Sequence, residues 1–157
     1  MNPVAQKDTS STSENLTATR SVAWTCRQYH FAASHRLVNR KFTEEQNRAF
    51  YGKCTNPNGH GHNFILEVAV EGEVDPLTGS AFSSTQLDAV IEEKIVERFD
   101  HKNFNLDLPE FTGQVTTGEN IMHVMWNILS VALPLNSLKR ITLSMSPSNS
   151  FEYYGQD

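Results

Sequence analysis

Three histidines and a nearby cysteine are the residues in this sequence whose types and spacing are best suited to chemistry. His60 and His62 flank one glycine in the segment CTNPNGHGH, which begins with Cys54, and His35 lies upstream in FAASHRL. If the chain continues from His62 as a strand, side chains two residues apart project to the same side, so both rings can reach one ion. Catalytic zinc sites keep three protein ligands and leave the fourth position to water or substrate. The set therefore predicts an open Zn²⁺ site with His35 on a neighbouring strand, although ordinary polar loop positions would explain a lone His-Gly-His at least as well.

Length and composition indicate one globular domain that binds neither nucleic acid nor membrane. The 157 residues are 38% hydrophobic, enough for a core, and no apolar run approaches the roughly 18 residues that span a bilayer. The net charge of −5 argues against a broad nucleic-acid surface. Residues 1–20 are rich in Ser and Thr and are predicted to be a disordered tail, which leaves residues 21–157 as the domain. Because no export signal is recognisable, we expect a cytoplasmic protein with Cys26 and Cys54 reduced.

Several basic side chains lie close together in the sequence between the first histidine and the cysteine. They are Arg36, Arg40, Lys41, Arg48 and Lys53. Such a cluster suits an anionic substrate, and a solvated loop explains it about equally well.

The hydrophobic pattern predicts four strands. They cover residues 21–32, 64–72, 140–144 and 151–154, the last two as a closing hairpin. The first two strands are expected to form a long antiparallel pair.

Apolar residues on one face predict two helices. The first runs from an N-cap at Thr85 to Phe99, and the second begins near Thr117 and stops before Pro134. Residues 38–59 have the character of a loop. The order of elements predicts an α+β fold, in which both helices cover one face of a four-stranded antiparallel sheet.

Five motifs in a fixed order resemble one known family. They are FAASHRL, GKCTNPNGHGHNF, VDPLTG, FDHKNFN and TTGEN, spread over residues 24–155. With them the chain resembles the 6-pyruvoyl-tetrahydropterin synthase family, which includes bacterial 6-carboxytetrahydropterin synthases. The resemblance implies the tunnelling fold, in which subunits associate into a barrel, usually a homohexamer made of two trimers with active sites at subunit boundaries.

The resemblance also implies residue roles. The three histidines become zinc ligands, Cys54 becomes the catalytic cysteine, and Asp100 with His101 becomes the pair that assists it. Thr117 and Glu119 fall on the segment that helps to hold the pterin. The implied reaction is a zinc-dependent carbon–oxygen lyase step on 7,8-dihydroneopterin triphosphate, without a redox cofactor. From the residues alone, Asp100 and His101 would equally suit a turn at a helix end, where an imidazolium is favourable.

Spacing and one departure from the family bear on the product. Five residues separate Cys54 from His60, which favours the pyruvoyl enzymes over those that make 6-carboxytetrahydropterin for queuosine. Met145 occupies the aligned position of a glutamate that usually accepts hydrogen bonds from the pterin ring. Either Glu152 or another acceptor replaces that glutamate, or the substrate differs. The alternatives are therefore the 6-carboxytetrahydropterin activity, aldolase-like cleavage of dihydroneopterin, a catalytically silent pterin- or metal-binding homologue, and a structural zinc site closed by Cys54.

Overall fold

The computed structural model describes residues 20–155. The tail predicted for residues 1–20 lies, apart from Arg20, outside the described residues. Within the described range, none of the helices is both long enough and apolar enough to cross a bilayer.

Residues 20–155 form five strands and four α-helical segments. In chain order they are β1 (Val22–His35), α1 (Glu44–Tyr51), β2 (His60–Glu73), α2 (Ser84–Ile91), α3 (Glu97–Phe99), β3 (Lys102–Asn103), α4 (Gly118–Ala132), β4 (Leu138–Ser146) and β5 (Asn149–Tyr153). A π-helical stretch, Glu92–Val96, joins α2 to α3, and short 3-10 segments occupy Gly52–Thr55 and Pro109–Phe111.

The sheet has the strand order β3-β1-β2-β4-β5. The neighbours β1–β2, β2–β4 and β4–β5 are antiparallel, as the sequence predicts, and β3 pairs parallel to the end of β1. The prediction of four strands was therefore one short. The missing strand is only two residues long, and two residues carry no alternation that a sequence pattern could reveal.

The core lies between one face of the sheet and the helices. Alternate residues of β2, from Phe64 to Val70, are buried on this face. The predicted apolar faces of the two helical regions are confirmed, since their central residues are fully buried. These residues are Leu87, Ile91 and Ile95 in the first region and Ile121, Met125 and Leu129 in the second.

One helix boundary differs from the prediction, and one helix was not predicted. The N-cap of α2 is Ser83, whose hydroxyl accepts a hydrogen bond from the backbone N–H of Gln86. The N-cap predicted at Thr85 was therefore two residues too late. The segment predicted to be a loop contains α1. Thr43 and Gln46 form a capping box at its start, and the only buried residue of this helix is Asn47, so it shows no apolar stripe.

Candidate active site

Three histidine rings meet at one end of the β1–β2 pair. The register pairs His35, the last residue of β1, with His60, the first residue of β2, and His62 lies on the same face two residues further along. The Nε2 atoms of His35 and His60 are 3.1 Å apart. One nitrogen from each of the three rings lies within 4.8 Å of the others, so the cluster could hold one metal ion. The convergence predicted from the sequence is confirmed.

Thr116 fixes the ring of His35. Its carbonyl oxygen accepts a hydrogen bond from His35 Nδ1 at 2.6 Å, and this bond leaves Nε2 with the free lone pair. Both residues are buried, with exposures of 0% for Thr116 and 1% for His35. Sequence reasoning did not select Thr116, although it directly precedes Thr117 in the TTGEN motif.

The chemistry of this donor set fits a divalent ion such as Zn²⁺. His60 Nδ1 and His62 Nε2 are buried and find no hydrogen-bond partner within residues 20–155, and leaving a buried polar atom unpaired costs about 1–3 kcal/mol. Burial is the main reason that the pKa of each of the three rings is lowered. The pKa of His35 falls to about 4, although its hydrogen bond to the Thr116 carbonyl acts to raise that pKa. At neutral pH the rings are therefore uncharged, which is the form of imidazole that binds a metal.

Gly59 lets the loop before His60 lie against the end of β1. Its φ is +68°, and a Cβ placed on it would lie 2.6 Å from the carbonyl oxygen of His35. Only glycine takes this conformation and this approach without strain. Gly59 therefore holds two of the three histidines in register.

Replacing Gly59 with alanine is expected to weaken metal binding as well as stability. A left-handed backbone costs a residue with a Cβ about 1–2 kcal/mol, and the contact with His35 must also move apart. Gly79→Ala is the matched control, because Gly79 has the same φ of +68° and no heavy atom within 4 Å of a Cβ placed there. Thermal unfolding should show a loss in both variants, and zinc titration a loss only in Gly59→Ala. Equal zinc affinity in the two variants would contradict this reading.

Cys54 lies in the 3-10 segment between α1 and β2 and is half-buried. Its carbonyl oxygen accepts from the N–H of Leu37 at 2.9 Å, which ties the segment to the chain that leaves β1. Among the described residues, the group of ligand atoms that lie close enough to share a metal contains the three histidines and not this thiol. The arrangement favours three protein ligands over a site closed by Cys54.

Asp100 and His101 form an oriented pair after α3. Asp100 Oδ1 accepts from the N–H of Ala32 at 2.7 Å, and Oδ2 lies 2.7 Å from His101 Nδ1. The Ala32 N–H, and after it His101, hold the pKa of Asp100 below its usual value, so the carboxylate is charged and keeps Nδ1 as the donor. His101 has a φ of +58°, an uncommon conformation for a non-glycine residue, and its N–H donates to the Ala32 carbonyl at 2.6 Å. The imidazole side chain is 82% exposed.

The start of α4 carries the residues expected to hold a pterin. Thr117 is the N-cap, and its hydroxyl accepts from the N–H of Asn120 at 3.4 Å. Glu119 is exposed in the first turn. Thr116 directly precedes this N-cap and is hydrogen-bonded to His35, so the start of α4 lies next to the histidine cluster. The predicted segment is therefore adjacent to the site.

Met145 and Glu152 face opposite sides of the sheet. Met145 is 7% exposed and lies on the core side. The ring of His62 forms a hydrogen bond with the backbone of Met145, and this bond partly offsets the lowering of the pKa of His62. Glu152 pairs with Thr142 on the other side, where its carboxylate accepts from the Tyr154 hydroxyl at 2.9 Å. Within one subunit, the structure does not bring Glu152 to the histidines.

Fold and site together define a class of protein: an α+β domain of the tunnelling fold, with three histidines that could hold one metal ion at one end of its β1–β2 pair. The family model of 6-pyruvoyl tetrahydropterin synthase matches residues 25–156. The chain belongs to the 6-pyruvoyl tetrahydropterin synthase family.

Individual relatives agree with this assignment. The 6-pyruvoyl tetrahydrobiopterin synthase of Homo sapiens is 39% identical over 137 residues, which are 87% of this chain and 94% of the human protein. The protein of the same name from Dictyostelium discoideum is 37% identical over 126 residues, 80% of this chain and 91% of that one. The structure of Caenorhabditis elegans 6-pyruvoyl tetrahydropterin synthase superposes with a TM-score of 0.83 at 32% identity, covering 88% of this chain and 99% of that chain.

Proposed function

We propose that this protein is a zinc-dependent carbon–oxygen lyase that converts 7,8-dihydroneopterin triphosphate into 6-pyruvoyl-tetrahydropterin and triphosphate in the cytoplasm. The observation that carries the proposal is the cluster of three neutral histidines, with His35 buried and His60 and His62 half-buried, in a chain of this family. Three protein ligands leave a coordination position for substrate. A relative that is 39% identical and named 6-pyruvoyl tetrahydrobiopterin synthase supports the product.

The metal site is assigned to His35, His60 and His62, with Thr116 as the residue that orients His35. When bound, Zn²⁺ supplies Lewis-acid chemistry that polarises a side-chain oxygen of the pterin and makes the adjacent C–H bond more acidic. Three neutral imidazoles are a donor set that suits zinc.

Cys54 is the proposed general base. As a thiolate it takes a proton from the side-chain carbinol carbon attached to the ring, and the electron pair of that C–H bond moves into the adjacent ring C=N bond. Protons are then taken up by the ring, so the carbinol becomes a ketone while the ring is reduced. In the elimination, a proton leaves the carbon next to the phosphate-bearing carbon, and its electron pair forms a double bond. The C–O bond breaks, its electron pair leaves with triphosphate, and the enol becomes the ketone. No outside oxidant or reductant is needed.

His101, oriented by Asp100, exchanges protons with Cys54 or with the substrate. The hydrogen bond to Asp100 and the left-handed backbone at His101 support a positioned imidazole. Its 82% exposure in a single subunit supports a site that is completed where subunits meet. The proposed assembly is the homohexamer of two trimers, closed into a barrel.

Thr117 and Glu119 are the proposed pterin contacts, since the helix that bears them begins beside the histidine cluster. Met145 offers no side-chain acceptor to the ring N–H groups, and a buried donor without a partner costs about 1–3 kcal/mol. A contribution from Glu152 would have to come from another subunit, because in its own subunit it faces the opposite side of the sheet.

Incubation of zinc-loaded protein with 7,8-dihydroneopterin triphosphate tests the proposal. We expect triphosphate and the pyruvoyl product in equal amounts by mass spectrometry, and no product from zinc-free protein. A 6-carboxy product with acetaldehyde would assign the protein to the queuosine branch, against the five-residue spacing between Cys54 and His60. Absence of turnover with zinc bound would contradict the lyase and make Met145 the mark of another substrate or a silent homologue.

A further inference from the structure

A positively charged cavity lies beside the histidine cluster, where β1 leads into the loop before α1. Its volume is about 670 Å³, and Arg36, Arg40 and Lys41 contribute to its wall. No carboxylate among residues 20–155 lines it. Because the whole chain carries a net charge of −5, this concentration of positive charge is local. A cavity lined by one sign of charge raises the local concentration of its counter-ion.

The cavity and the histidine cluster share a stretch of backbone. Arg36 directly follows His35. The carbonyl oxygen of Arg36 accepts a hydrogen bond from the hydroxyl of Thr116 at 3.2 Å, and the carbonyl of the same Thr116 holds the ring of His35. The next residue, Leu37, donates its N–H to the carbonyl of Cys54. Hydrogen bonds therefore tie the wall of the cavity to the segments that carry His35 and Cys54.

A buried amide fixes the loop that carries Arg40 and Lys41. Asn47 of α1 is 5% exposed, and its Oδ1 accepts from the N–H of Asn39 at 2.8 Å. Its Nδ2 donates to the carbonyl oxygens of Asn39 and Thr43, both at 3.1 Å. These bonds hold the backbone on both sides of the two cations, so little backbone entropy remains to be lost when a ligand binds.

Arg36 is fixed in a similar way. Asn105 accepts from its N–H at 2.6 Å and donates to its carbonyl at 3.0 Å. The Nε of its guanidinium donates to the carbonyl of Thr55 at 2.9 Å, which leaves the terminal nitrogens for a ligand. A guanidinium presented in this way suits phosphate oxygens.

We propose that this cavity binds the triphosphate chain of the substrate, with Arg36, Arg40 and Lys41 as positioning residues. The identity of the ligand rests on the proposed function, whereas the cavity itself requires only a polyphosphate. The cations place the phosphate-bearing carbon near Cys54. They also stabilise the charge that the triphosphate oxygen gains when the C–O bond breaks and its electron pair departs with the leaving group.

The double variant Arg40→Ala/Lys41→Ala tests this site. We expect its Kd for inorganic tripolyphosphate, measured by calorimetry on the zinc-loaded protein, to rise about tenfold, with a similar rise in KM for the pterin triphosphate. Within residues 20–155, no hydrogen bond or ion pair uses either side chain, so the fold should be unaffected. Zinc content is measured before and after titration, because polyphosphates chelate divalent metals.

Arg20→Ala/Arg48→Ala is the matched control, because it removes the same charge from two side chains outside the cavity lining. Binding of unphosphorylated dihydroneopterin should be unchanged in both double variants. Wild-type affinity for tripolyphosphate in Arg40→Ala/Lys41→Ala, an equal loss in the control, or no binding to the wild-type protein would each overturn the site. Specific tripolyphosphate binding without turnover of the pterin would instead leave the cavity assignment standing and overturn the proposed reaction.

Discussion

Replacing His60 with alanine is expected to remove zinc from the protein and turnover with it. Two imidazoles do not complete a zinc site of this kind. Loss of Lewis-acid stabilisation worth several kcal/mol corresponds to a rate lower by on the order of 1,000-fold or more. His60 is the best ligand to replace, because His35 is 1% exposed and its removal would leave a cavity and an unpaired Thr116 carbonyl. Loss of activity in a His35 variant would therefore not separate metal loss from misfolding.

Metal analysis and thermal unfolding with and without zinc measure the outcome. Zinc at about 100 times its Kd stabilises the folded state by about 2.7 kcal/mol, so the wild-type protein should gain in melting temperature while His60→Ala gains nothing. His30→Ala is the control, because His30 is exposed on β1 and pairs with Ile65, away from the cluster. Stoichiometric zinc and near wild-type turnover in His60→Ala would disprove the assignment of the three histidines.

The histidine cluster was predictable because its geometry is mostly local. The i, i+2 spacing of His60 and His62 decides that both rings share a face, whatever the rest of the chain does. The place of His35 depends on the register of β1 against β2, and burial of alternate residues sets this register only where Phe31 and Ala33 end β1 opposite the start of β2. The sequence indicated the pairing, and the fold was needed to place His35 opposite His60.

Other parts of the site depend on contacts that leave little trace in a sequence pattern. Thr116 acts through its backbone carbonyl, which any residue type provides. Asn47 fixes the loop before α1 by four polar bonds and not by apolar packing, so α1 lacks the stripe that reveals a helix. The face of Glu152, by contrast, was available from alternation. Its neighbours Phe151 and Tyr153 pack on the core, which places Glu152 on the other side.

Replacing Cys54 with alanine is expected to reduce turnover while zinc stays bound. Removal of a positioned general base typically lowers the rate by about 100- to 10,000-fold. Cys26→Ala is the matched control, because Cys26 is a free, exposed cysteine on β1. The Co²⁺-substituted protein adds an independent readout, since a cobalt–thiolate band that disappears in Cys54→Ala would show the thiol to be a ligand. Loss of zinc from Cys54→Ala would likewise indicate a closed structural site and contradict the catalytic assignment.

Combining Cys54→Ala with His101→Ala subunits extends this prediction to the assembly. Each variant alone should bind zinc and turn over slowly, since one lacks the proposed base and the other the imidazole proposed to exchange protons with it. His101 is exposed in its own subunit, so in a site shared between subunits an intact Cys54 from one chain can meet an intact His101 from another. Refolding the two variants together should then restore part of the activity, whereas each refolded alone should not recover. If both residues of a site come from the same chain, every site in the hybrid lacks one of them. A mixture no more active than its components would therefore contradict a site shared between subunits.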